Sequence, residues 1–201
     1  MRFLRVLKAA SLLFVLLPSV SVEASMVERL TFGEISREAP VIVQAVVLQN
    51  SRRTELRDGI PWTCFVLAIE RTIKGPVRKN QDVCFLGGPV GTTKLFVTGT
   101  DLPQEGKKGI FFLNEPAVTY VNPLIGWTQG LYYIATAPNG REVVTDSSGQ
   151  SISRIDLINP TSVPGSGLSA LGIDTRPAPG DAVVSPDTFI ESVHQALIGP
   201  R

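Results

Sequence analysis

Between residues 41 and 145 the chain is a series of short β-forming runs, cut every 8–15 residues by glycine and proline, and this spacing restricts the fold more than any other feature. Runs so short, with no helical pattern between them, build sandwiches or barrels rather than parallel α/β sheets. The runs lie at 41–48, 62–73, 82–86, 93–98, 109–113, 131–137 and 142–145. In 62–73, Phe65, Leu67 and Ile69 fall on one face and Cys64, Val66 and Ala68 on the other. A strand apolar on both faces belongs in the middle of a sheet. Lys74-Gly75-Pro76, Gly87-Gly88-Pro89 and Asn114-Glu115-Pro116 supply breaks. Pro138-Asn139-Gly140 predicts a hairpin between the last two runs, because Asn-Gly reaches positive φ cheaply. Residues 49–59 read as a polar loop.

Two helices flank this region. Residues 30–39 predict a short one, with Thr31 as N-cap, Glu34 at the capping-box spacing, Leu30, Ile35 and Ala39 as its apolar stripe, and Pro40 as its stop. Ser185-Pro186-Asp187 opens the other, over 185–201. Its stripe of Phe189, Ile190, Val193 and Leu197 needs a surface to dock on, since so short a helix is marginal alone. Residues 159–184 are rich in proline, glycine and serine and read as a loose connector. The expected division is a leader over 1–24, a β-barrel domain over 25–158, the connector, and the final helix.

The leader reading rests on Arg2, Arg5 and Lys8, the apolar run 9–17, Pro18, and the small-residue cleavage spacing of Val22-Glu23-Ala24. That is the layout of a secretory signal peptide. Its apolar run is shorter than the ~20 residues that span a bilayer. Cleavage before Ser25 leaves 177 residues and moves the net charge from +1 to −1. The mature chain is then expected in the periplasm or outside the cell, with no membrane span and no basic footprint for nucleic acid or anionic lipid.

An exported location bears on Cys64 and Cys84, the two cysteines. A disulfide is the default for such a pair, closing a loop of about 20 residues worth roughly 3 kcal/mol; two buried thiols remain the alternative. A metal centre would need further ligands, and His194 is the one histidine. The Cys-x-x-Cys spacing of a redox catalyst is absent.

Chemistry is otherwise thinly signalled. His194 falls in the final helix beside its apolar stripe, and Gly165-Ser166-Gly167 lacks the strand–turn–helix setting of a nucleophile elbow. Glu70, Asp82, Asp101, Glu105 and Glu115 offer carboxylate pairs for glycoside hydrolysis, with Glu70 set among apolar strand neighbours. The stretch from Gly87 to Lys94 reads as a glycine turn, since it lacks the Gly-Lys-Ser/Thr ending of a phosphate loop and no helix follows. Trp127, Tyr132, Tyr133 and Tyr120 cluster around Gly126 and Gly130 and form either a ligand or partner surface or the plug of a barrel end. No catalytic residue, cofactor or metal is expected.

The order of segments resembles a family of uncharacterised bacterial exported proteins. The matching pieces are Ala39-Pro40-Val41-Ile42-Val43-Gln44-Ala45-Val46, Ile73-Lys74-Gly75, Gly87-Gly88-Pro89, Gly109-Ile110-Phe111-Phe112-Leu113 and Gln129-Gly130-Leu131-Tyr132, together with the terminal Ser-Pro-Asp-Thr-Phe-Ile helix. Pro40 and Ala45 depart from it, where the family has Asp and Gly. The resemblance implies an OB-like barrel similar in shape to tissue inhibitors of metalloproteinases. Their zinc-chelating N-terminal cysteine has no counterpart at Ser25-Met26-Val27. The expected fold is therefore a mainly β, OB-like barrel of five to seven strands with a helix at each end. The expected role is a non-catalytic exported module for a protein or cell-envelope ligand. A carboxylate hydrolase, or a protease inhibitor inserting residues 49–59, is the alternative.

Overall fold

The computed structural model describes residues 27–163, 168–177 and 182–199, so the expected signal segment and Gly165-Ser166-Gly167 lie outside it. Its main sheet has seven strands: β1 (Val41–Val47), β2 (Arg53–Arg57), β3 (Ile60–Lys74), β4 (Asn80–Leu86), β7 (Lys108–Leu113), β8 (Leu131–Thr136) and β9 (Glu142–Thr145). Two-stranded ribbons add β5 (Gly88–Val90) with β6 (Thr93–Leu95), and β10 (Arg154–Ile155) with β11 (Ile173–Asp174). Every pairing within these sheets is antiparallel. β3 is the spine. β4 runs along one of its edges; β2 and then β1 share the other, since Arg53 lies opposite Cys64 and Val47 opposite Leu67. From β1 the sheet continues through β7 and β8 to β9.

Both faces of the sheet are buried in its middle. Ile42, Ile110, Phe112, Tyr132 and Val144 point to the side covered by α1 (Phe32–Glu38) and α2 (Pro186–Ile198). Val43, Ala45, Phe65, Leu67, Phe85, Phe111 and Tyr133 pack on the other, where Leu102 and Leu124 from loops join them. Thr31 caps α1 through the anticipated box: its hydroxyl accepts from Glu34 N at 3.1 Å and its own N–H donates to Glu34 Oε2 at 2.7 Å. At the other end of α1, Lys74 Nζ reaches the carbonyls of Ser36 and Arg37, at 3.2 and 2.7 Å, a cation where the helix dipole favours one. Ser185 caps α2, and Phe189, Ile190 and Val193 are buried, so this helix docks. Phe189 meets Phe32, Phe112 and Tyr132 at ring-centre separations of 4.8–6.3 Å.

The structure corrects four expectations. The sheet is not closed into a barrel, because both rims are engaged elsewhere. On β9, Val144 N donates to Val184 O and Val144 O accepts from Ile152 N; at the far rim, Leu86 N of β4 donates to Val121 O, all at 2.9 Å. The connector is not loose where it is described: Val163, Ala170, Ile173 and Val184 are buried, and Leu171 O accepts from Phe32 N at 2.9 Å. Residues 49–59 are not a loop but hold β2 and its turn. The run 93–98 is strand only to Leu95, paired with β5 apart from the main sheet, and Phe96 lies exposed. Among the described residues no helix is long and apolar enough to cross a membrane.

Candidate functional site

β2 and β3 are joined by Asp58 and Gly59, whose φ values of 52° and 78° are the left-handed pair of a two-residue type I′ turn. The resulting register fixes which side chains share a face, because directly opposed residues point the same way. Arg53 lies opposite Cys64, and Cys64 opposite Cys84; Glu55 lies opposite Trp62. This puts two guanidinium-bearing positions, a carboxylate, an indole and two sulfurs together at one end of the sheet.

The cysteines form a disulfide across β3 and β4, with Cα atoms 4.0 Å apart. Arg57 organises the groups around it. Its Nη2 donates to Cys84 Sγ at 3.0 Å and to Cys64 Sγ at 3.5 Å, and its Nε to Glu55 Oε1 at 2.7 Å. Its guanidinium carbon stands 5.3 Å from the centre of the Trp62 ring, a cation–π distance. Arg53 Nη2 pairs with Asp82 Oδ2 at 2.8 Å. Glu55, Cys64 and Cys84 are donor types that hold metals, but here both sulfurs are bonded to each other and the Arg57 guanidinium sits among the three.

A cleft of about 200 Å³ opens beside these groups, lined by Arg53, Arg57, Trp62 and Asp82 from the strands and by Asn114 and Tyr120 from the segment that follows β7. A second depression, of about 330 Å³, shares Asn114 and Tyr120 and adds Asn122 and Trp127. Asn122 is only 4% exposed; its Oδ1 accepts from Leu124 N at 3.0 Å, while its Nδ2 has no partner among the described residues. Trp127 has φ 59°, a conformation that costs a bulky residue energy and concentrates at functional positions. The two depressions meet at Tyr120, so indole, phenol and amide groups follow one another along this face.

Of the four aromatic residues singled out in the sequence, two reach this surface. Tyr120 and Trp127 line the second depression, whereas Tyr132 and Tyr133 are core residues. Burial pushes both phenols above their ordinary range, and each hydroxyl accepts a backbone N–H, from Ala170 at 3.3 Å and from Gln104 at 3.1 Å. Arg53, Arg57 and Trp62 were not legible as site residues. The signal that would have found them is Asp58-Gly59 between Thr54/Leu56 and Ile60, which defines the hairpin that brings them together.

Of the five carboxylates, Asp82 and Glu115 both line the cleft, and each is already engaged there. Asp82 pairs with Arg53, Glu105 accepts from Arg52 N at 2.9 Å, and Glu115 caps its own turn at Ala117 N. Asp101 is exposed near Trp127. Glu70 accepts from Gln44 Nε2 and pairs with Lys108, both at 3.1 Å; the Gln44 hydrogen bond first, then Lys108, hold its carboxyl below the usual range. A general acid requires the opposite shift. His194 stands half-exposed on α2. The stretch from Gly87 to Lys94 is the β5–β6 ribbon, turned at Gly91 with φ 58°, and presents no helix N-terminus to an anion.

Fold and site together define a mainly β protein with a disulfide-backed surface cleft. No family model, curated protein or solved structure matches the chain.

Proposed function

We propose that this chain is an exported, non-catalytic module that binds a protein or cell-envelope ligand in the cleft between β2–β4 and the segment after β7. One observation carries the reading: a guanidinium pinned over an indole, an exposed phenol and an amide border a single cavity, and the two acids that line it are already held, Asp82 by Arg53 and Glu115 by its own turn. Cavities that combine aromatic faces with a few fixed polar groups are binding sites. Export is supported by the disulfide, a bond that persists in oxidising compartments, and by the basic–apolar–small pattern of residues 1–24. The segment order supports placing the chain with the exported family it resembles.

The test is direct binding of the purified mature chain to panels of peptides and envelope glycans. Tyr120 is 37% exposed, so Tyr120→Ala leaves the core intact and should weaken any bound panel member at least tenfold. Turnover of a panel member that Asp82→Asn abolishes would overturn the non-catalytic reading.

A further inference from the structure

Resting on that reading of the cleft, we infer that its ligand is an extended peptide segment of a protein partner, which adds as a strand to the open edge of β4. In an antiparallel pair, residues alternate between positions whose N–H and C=O face the partner strand and positions whose groups face away. Gly87 N donates to Pro61 O and Ile69 N to Lys79 O, each at 2.8 Å, which marks 61/87 and 69/79 as bonded positions. The pairs in step with the intervening positions are Trp62–Leu86, Cys64–Cys84 and Val66–Asp82. The main-chain groups of Leu86, Cys84 and Asp82 therefore point away from β3, along the side of β4 that lines the cleft.

One position of this edge is already taken by the protein's own chain. Leu86 N donates to Val121 O at 2.9 Å, a bond from a loop residue that leaves the rest of the edge to a ligand. Asp82 O accepts from Gln81 Nε2 at 2.8 Å. The N–H and C=O of Cys84 and the N–H of Asp82 have no protein partner among the described residues. Donors and acceptors repeating at about 7 Å along a strand are matched by another extended main chain. The disulfide holds β4 in register against β3, so the edge is presented ready-made. Two exposed apolar residues, Val118 and Tyr120, line the same cleft and suit an apolar ligand side chain. The segment from Asn114 to Pro123 walls the other side of the same cleft, so the edge is reached through a groove rather than across an open rim.

A nine-residue random phage library panned on the mature chain supplies the probe peptides. Asp82→Ala loses the Arg53 pair and keeps the outward N–H, whereas Asp82→Pro loses both and still spares the β3 ladder, so the two variants differ by that N–H. Selected peptides should bind Asp82→Pro at least tenfold more weakly than Asp82→Ala. Equal binding to the two variants overturns the proposal. Should Asp82→Pro not fold, hydrogen exchange of the wild type decides. Bound peptide should slow the Cys84 amide at least tenfold and leave Phe85, already bonded to β3, unchanged; an unchanged Cys84 overturns it. A β4-mediated dimer in light scattering overturns it in favour of a second copy. Binding of envelope glycans but of no peptide overturns it while sparing the module reading, and binding of neither overturns both.

Discussion

Arg57 shows how much of this molecule depends on single polar side chains with several partners. Its guanidinium touches both sulfurs, Glu55 and the Trp62 ring, though the cysteines lie 7 and 27 residues away. Nothing in local sequence announces such a residue; the disulfide, by contrast, was readable from cysteine count and the expected compartment. Asp174 is a second case, with a measurable pH signature. It accepts from Arg176 Nη2 at 2.7 Å and Nε at 2.9 Å, and these hydrogen bonds lower its carboxyl from 3.8 to about 2. A depressed folded-state value gives stability that is complete above pH 4 and lost as pH falls toward 2. Urea midpoints across that window should fall in the wild type, and the fall should be shallower in Arg176→Ala.

At the scale of elements, α1, α2, β3 and the β8–β9 hairpin were legible because caps, periodicity and an Asn-Gly turn act within a few residues. β2 was hidden because Arg53, Glu55 and Arg57 occupy every second position, and charge there reads as a loop. In the fold those charges form the face that meets the disulfide, and Thr54 and Leu56 take the other. The connector misled in the opposite way: proline and glycine suggested looseness, yet isolated Ala170, Ile173 and Val184 fill gaps beside the helices, a long-range fit that local composition does not carry. The docked α2 makes a quantitative prediction. Phe189 is fully buried among three rings, so Phe189→Ala should lower unfolding free energy by about 3–5 kcal/mol, read by urea denaturation.

For the whole molecule, the mainly β class and its flanking helices were readable, but closure was not. Whether a sheet becomes a barrel depends on what reaches its rims, and residues 121, 152 and 184 that do so lie in stretches with no strand pattern. An open sheet relies more on its staple. Cys64→Ala with Cys84→Ala should cost about 3 kcal/mol and shift the urea midpoint down, the value for releasing a loop of about 20 residues.

The aromatic cluster joins positions 32, 112, 132 and 189. Its oldest member in the order of synthesis, Phe32, waits for one of the youngest. A growing chain can assemble the β2–β3–β4 end early, but the chamber between sheet and helices stays unsealed until the last 13-residue helix has emerged. Phe32 therefore keeps one side of its ring open until Phe189, far along the chain, has been made.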